Sequence, residues 1–234
     1  PAMLSAVMEA TWPAADYRRL GPWMLRDGQG GGKRVSAATS EAPWTLADIT
    51  DAETAMVNAG QDCLFCLREG DQELDRALEL RGYRKVDPVL AYIAPVGALT
   101  VTDVPPMAAF AHWPPLAICQ EIWAEGGIGP ARLAVMDRAV GPKCAILSRA
   151  SDRPTGTAFV AIHAHIAMLH ALEVRKDARR QGSAHNIMRA AAIWAQQNGA
   201  NDLSVVVTEA NSAARALYAS LGMEVVGHYH YRQK

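Results

Sequence analysis

The stretch of this chain best equipped for chemistry is Leu172-Glu173-Val174-Arg175-Lys176-Asp177-Ala178-Arg179-Arg180-Gln181-Gly182-Ser183-Ala184. It reads as the end of a strand, a basic loop with one glycine, and the opening of a long helix. A helix start leaves about four backbone N–H groups without partners and carries roughly half a positive charge. Small residues at Gly182, Ser183 and Ala184 let an anion approach that backbone, and Arg179 and Arg180 add charge beside it. The chemistry expected of such a segment is the cradling of a pyrophosphate. A solvated basic turn ahead of a surface helix is the alternative reading.

Three other clusters carry less. Cys63-x-x-Cys66 falls on a short apolar strand, where residues three apart face opposite ways, so buried apolar cysteines are expected. His163-x-His165 and His228-x-His230 would each put two rings on one strand face if extended, but the first pair reads as a hairpin turn, zinc needs further ligands and no metal is expected. Edge-strand polarity, or for His228 or His230 the lining of an acceptor pocket, is the reading left. The run Asp27-Gly28-Gln29-Gly30-Gly31-Gly32-Lys33 lacks the phosphate-loop spacing, with Asp27 where a glycine and Arg34 where a hydroxyl would be needed. Its glycines read instead as the reversal of a hairpin joining Trp23 and Leu25 to Val35 and Ala37.

Around these residues the chain alternates strands and helices. Residues 1–15 give no clear signal. A helix from Thr45 to Asn58, a strand from Cys63 to Leu67, a helix from Gln72 to Leu80 and a strand from Val86 to Ala94 follow the hairpin. Val101–Val104 reads as a strand, Met107–Glu125 as a helical region broken by Pro114-Pro115, and Ala131–Asp137 as a strand. Strands are expected at Cys144–Ser148, Thr155–Ile162 and Ile166–Val174. The helix Ser183–Asn198, the strand Leu203–Thr208, the helix Ser212–Leu221 and the strand Glu224–Tyr231 complete the order.

Arg179-x-x-Gly182-x-Ala184 resembles the Arg/Gln-x-x-Gly-x-Gly/Ala signature of the GNAT superfamily of acetyl-CoA-dependent N-acetyltransferases. Downstream, Asn211-x-x-Ala214-Arg215-x-Leu217-Tyr218-x-x-x-Gly222-Met223 is similar to that family's second signature, with Met223 in place of its usual Phe. The resemblance covers residues 98–234. It implies an α/β (α+β) GNAT fold, a mixed and mostly antiparallel central sheet flanked by helices.

The resemblance also implies roles. The backbone amides of Arg179, Arg180, Gln181, Gly182, Ser183 and Ala184 would bind the pyrophosphate of acetyl-CoA. Its pantetheine arm would lie in a gap beside the last strand residues, pairing with main chain at Leu172 and Val174. Asn211 would touch that arm, and Arg215 belongs to the same cofactor-binding signature. Tyr218 would be the general acid, since a phenol is protonated at neutral pH. A core-facing helical aromatic is the alternative for Tyr218. His170, on the strand where the family often carries its base, is the candidate general base, and a buried structural histidine is its alternative. Plain alternation places Met168, His170 and Leu172 on one face.

Residues 1–97 remain beyond the resemblance. Their order of strand, strand, helix, strand, helix, strand matches the second half of a GNAT domain, without its phosphate signature. They read either as a degenerate GNAT-like half, as in tandem members of the superfamily, or as an unrelated accessory α/β extension. The division expected is therefore 1–97 and 98–234.

A net charge of −1 over 234 residues argues against a broad electrostatic grip on nucleic acid. Absence of a long apolar run or a leader-like start, together with only four cysteines, makes a cytoplasmic protein with no membrane partner the expectation. The activity expected is acetyl transfer from acetyl-CoA to a primary amine of a small molecule or peptide, by a monomer or homodimer. A non-catalytic acetyl-CoA sensor or partner-binding module, or a transferase for another acyl group or a hydroxyl or thiol acceptor, is the alternative.

Overall fold

The computed structural model describes residues 2–234 of the chain. A small antiparallel sheet comes first, in the order β1 (Asp16–Leu20), β2 (Trp23–Asp27), β3 (Thr39–Ser40). A tight hairpin turns at Gly21-Pro22, where Leu20 pairs with Trp23. The expected reversal across the glycine-rich run also forms, but it returns on Thr39–Ser40, with Val35 in a 3-10 turn rather than a strand. Those glycines also serve close packing. A Cβ on Gly31 would stand 2.7 Å from a Val135 methyl and 2.9 Å from a Val35 methyl.

The main sheet has eight strands: β4 (Leu64–Arg68), β5 (Arg84–Pro95), β6 (Ala109–His112), β7 (Lys143–Ala150), β8 (Arg153–His163), β9 (Ile166–Val174), β10 (Asp202–Thr208) and β11 (Glu224–Gln233). They lie in the order β4-β11-β5-β10-β9-β8-β7-β6. All neighbours are antiparallel except β9 and β10. The sheet is thus mixed and mostly antiparallel, and it is shared between the first hundred residues and the rest.

Helices cover both faces. On one lie α2 (Leu46–Asn58) and α3 (Gln72–Leu80), packed on Phe65 and Leu67 of β4. Beside them, α7 (Ser183–Gln197) and α8 (Ser212–Ser220) pack on Tyr92, Leu169, Val205 and Val207. The other face carries α1 (Ala2–Thr11), α5 (Ala117–Glu125) and α6 (Pro130–Arg138). A short helix, α4 (Val96–Leu99), follows β5.

Three sequence expectations change. Ala131–Asp137 is helical within α6, because Pro130 occupies the first turn and Gly129 its N-cap, while Val135 and Met136 together point inward. Val101–Val104 forms no strand. The region 107–125 contains β6 before α5, where Ala109–His112 extends the sheet beside β7.

The sheet centre holds an internal symmetry. α3 begins at Gln72 and α8 at Ser212, and Gly82 and Gly222 end the two helices with φ of +83° and +72°. Both β5 and β11 then run back through the sheet, pairing with each other. Val89 pairs with Tyr229, its own counterpart 140 residues on, and that pair marks a local pseudo-twofold axis. On either side β4 pairs with β11 and β10 with β5 in matching registers.

Candidate active site

The two parallel strands part company in mid-sheet. β9 and β10 are paired from Ile166/Asp202 to Leu169/Val205 and no further, although β9 continues to Val174 and β10 to Thr208. A bulge in β9 opens the gap. Phe159 opposes His170 and Thr157 opposes Glu173, so Ala171 and Leu172 together face Ala158, and Ala171 takes φ of +53°. One extra residue bends a strand away from its ladder. The Trp123 indole N–H donates to the Ala171 carbonyl at 2.8 Å and holds the bend.

This bulge also corrects the expected alternation. His170 faces Trp12 and Phe159, whereas Leu172 and Val174 pack on the opposite side with the cluster under α7 and α8. The Arg175 N–H donates to the Thr155 carbonyl of the β8 side. By alternation, the Val174 backbone aims toward the gap. Its carbonyl accepts from Arg179 Nε at 3.2 Å.

Past β9, a single 3-10 turn at Lys176–Ala178 delivers the chain to α7. Gly182 is the N-cap, with φ of +83°, and no side chain caps the helix. The Asn186 N–H is bonded to the Gly182 carbonyl, while the amides of Gly182, Ser183, Ala184 and His185 have no hydrogen-bond partner among the described residues. A Cβ built on Gly182 meets nothing within 4 Å. Ser183 is buried and donates to Thr155 Oγ1 at 2.9 Å, which itself donates to Ser148 Oγ, so the helix start is pinned to β7 and β8. Arg179, Arg180 and Gln181 are exposed around it. The Gln181 side chain donates to the Asp177 carbonyl, and Arg179 pairs with Glu173 at 3.4 Å. Four outward amides, a helix dipole and two arginines are the chemistry that could hold an anion.

Tyr218 lies on α8 with only 4% of its surface exposed, its ring tilted against Tyr92 at 5.5 Å between centroids. It shares an apolar cluster with Leu172, Val174, Val205 and Val207. Burial pushes its phenol well above the usual range, with the Tyr92 phenol adding to the rise, so the hydroxyl keeps its proton. Asn211 caps α8, accepting from the Ala214 N–H at 3.1 Å, and Arg215 donates to the Glu209 carbonyl at 3.1 Å. Both stay exposed on the α8 side.

His170 is not free to act as a base, and here the sequence expectation is corrected. Thr11 donates its hydroxyl to the Val7 carbonyl at 2.7 Å, so toward His170 Nε2, 2.9 Å away, it must accept. Arg34 carries donors alone, so at 2.9 Å it donates to Nδ1. The ring is thereby fixed as the neutral Nε2–H tautomer with its one lone pair engaged. Burial, and then the Arg34 charge, hold its pKa well below the usual histidine value. Sequence reading missed Arg34 because the two partners stand 136 positions apart and no local pattern joins them.

The comparisons with known proteins agree with this geometry. Residues 117–223 match the model of the acetyltransferase (GNAT) family. YobR of Bacillus subtilis (strain 168), described as an uncharacterized N-acetyltransferase, is 26% identical over 241 residues, covering 96% of this chain and 95% of its own. A GCN5-related N-acetyltransferase from Kribbella flavida superposes with a TM-score of 0.75 at 18% identity, over 100% of this chain and 95% of that one. A tandem GNAT protein from the clavulanic acid biosynthesis pathway superposes with a TM-score of 0.63 at 13% identity, over 100% of this chain and 88% of that one. These two show a shared fold. The splayed strands and the uncapped helix start both lie within residues 117–223, the segment that matches the GNAT acetyltransferase family.

Proposed function

We propose that the chain moves the acetyl group of acetyl-CoA to a primary amine, by direct attack within a ternary complex. The observation that carries this reading is the continuity of the site. Four unpartnered amides at the start of α7 adjoin an open strand gap, and the gap runs along the apolar cluster that contains Tyr218. Anion-binding amides alone would suit many phosphate ligands. An unpaired strand edge beside them suits one whose phosphate is joined to an amide-bearing arm, because that arm can pair as an added strand would.

In this reading the amides of Gly182, Ser183 and Ala184, with Arg179, Arg180 and Gln181 around them, hold the pyrophosphate. The backbone of Leu172 and Val174 takes the pantetheine amides, and Asn211 and Arg215 flank the arm from α8. Tyr218 donates its proton to the departing thiolate, a role that a buried, firmly protonated phenol can fill. The attacking amine enters neutral and gives its surplus proton to solvent, since His170 has no lone pair to offer.

Residues 98–234 are read as the catalytic unit and residues 1–97 as a degenerate GNAT-like half. The 140-residue spacing of α3 from α8, and of the strands beside them, supports that division. The test combines two readouts. Acetyl-CoA should raise the melting temperature, and thiol release with a panel of amines should identify turnover. A thermal shift without turnover on any acceptor would favour the sensor reading, and no shift at about millimolar acetyl-CoA, far above a useful Kd, would remove both.

A further inference from the structure

An apolar cleft of about 320 Å³ lies on the face of the sheet opposite α8. Its floor includes Ala91 of β5, Val206 of β10 and Tyr229 of β11, Met8 of α1 forms one wall, and Glu69 and Asp71 stand after the end of β4. Val206 is the first β10 residue beyond the last pair with β9, so the floor begins where the strands separate. Val205 and Val207 face the Tyr218 cluster, whereas Val206 packs with Met8, Val89 and Tyr229. The cleft therefore reaches the vertex of the gap from the side opposite the acid.

The charges around it are unequal. Arg68 also lines the cleft, but its guanidinium donates to the Ser40 carbonyl at 2.6 Å and pairs with Glu41 at 3.1 Å. Asp71 accepts from the Arg68 N–H at 2.7 Å, a neutral donor. Glu69 is exposed and has no hydrogen bond or ion pair among the described residues. The result is an apolar interior behind a net negative rim. Its volume stands at the small end of ligand pockets, which run from about 300 to 1,000 Å³.

We propose that this cleft is the acceptor site and that its acceptor is a small primary amine with an apolar body and no carboxylate. The inference rests on the acetyl-transfer reading above. Both halves of the chain build the cleft, with Met8, Glu69 and Ala91 from the first and Val206 and Tyr229 from the second. The amine meets the Glu69 rim as its ammonium, gives one proton to water on entering and, seated neutral on Val206, attacks the thioester carbonyl carbon with its lone pair. The C–S bond breaks, and the thiolate takes the Tyr218 proton from the far side. The nitrogen loses a proton to water, Tyr218 is reprotonated from solvent, and the products are the acetamide and the free thiol.

The test is a series of acceptors with acetyl-CoA: ethylamine through pentylamine, then hexylamine against 6-aminohexanoate. kcat/KM should rise about fourfold per methylene until the cleft is filled. The carboxylate-bearing acceptor should be poorer than hexylamine by about tenfold or more at low salt. Glu69→Lys should raise KM for hexylamine about tenfold, and roughly 0.5 M salt should erase most of that change. Val206→Trp, which fills the cleft, should lose hexylamine turnover while the acetyl-CoA thermal shift persists. No dependence on chain length, equal use of the carboxylate, or a silent Glu69→Lys would overturn the assignment. If acetyl-CoA neither shifts the melting temperature nor supports thiol release, the transfer reading fails by itself. Saturable hexylamine binding that Glu69→Lys weakens would then still uphold the cleft as an amine site, and its absence would overturn that too.

Discussion

Two helices in this molecule hold corresponding places and end differently at their starts. α2 precedes β4 as α7 precedes β10, and each stops at a left-handed glycine, Gly60 or Gly199. At α2, Thr45 accepts from the Asp48 N–H, and Asp48 accepts from the Thr45 N–H at 2.7 Å and from its hydroxyl. Those hydrogen bonds lower the Asp48 pKa below the usual carboxylate value and keep a negative charge in the first turn. At α7 there is Gly182, four outward amides and no carboxylate in the first turn. A helix sealed by its own anion is stable and closed to phosphate, whereas an uncapped one stays open for a ligand to complete.

The same contrast recurs one helix later. Tyr218 of α8 corresponds to Leu78 of α3, and Tyr92, which touches Tyr218, corresponds to Arg232. Around α3, Arg232 bonds Asp75 at 2.6 Å, Glu79 at 3.2 Å and the Tyr83 carbonyl at 3.1 Å. In the first half these positions serve packing and ion pairs. The second has kept a phenol beside a gap.

The largest effect that could break this contrast comes from Gly182→Asp. The position has open space and a positive φ that Asp tolerates better than most residues. The added carboxylate should abolish the acetyl-CoA thermal shift and lower kcat/KM by about a hundredfold or more, through like-charge repulsion at the helix start. Tyr218→Phe should follow, lowering kcat by about a hundredfold while acetyl-CoA still raises the melting temperature. Its counterpart Leu78→Ala should instead cost roughly 2–5 kcal/mol of stability by denaturant titration, through the cavity left at a fully buried site.

Smaller effects sharpen the comparison. Thr45→Ala should cost about 1 kcal/mol of stability and leave thiol release unchanged, since that cap serves the fold. His170 gives a pH signature. Its folded pKa is depressed, so its contribution to stability is present above about 6.5, its unfolded value, and is lost as the pH falls below that. Denaturant midpoints measured between pH 8 and pH 5 should fall less steeply in His170→Gln than in the native chain. The pH dependence of turnover should keep its shape in that variant, whereas a His170 base would lose its acidic limb.

Much of the second half was legible because its signals are local. The Gly182 loop, the caps of α7 and α8 and the apolar run of β10 are each set by neighbouring residues, and their boundaries fall within a residue or two of expectation. What escaped depends on distant partners. The bulge at Ala171 has no glycine to announce it and is held by Trp123 from another helix. Arg34 reaches His170 only once the glycine-rich segment packs against α6. Ala131–Asp137 misled because its apolar residues are too few to separate the two periods, and Pro130 was the better guide. The first residues, left open in sequence, form α1 and supply Thr11 and Met8 to the central face.

The contrast between the halves comes down to how many acyl-CoA sites one chain carries. Isothermal titration of acetyl-CoA into the native chain and into Gly182→Asp measures this directly. One site per chain, lost in the variant, is the expected result. Two sites, or one that survives the added carboxylate, would contradict the assignment of the site to the start of α7.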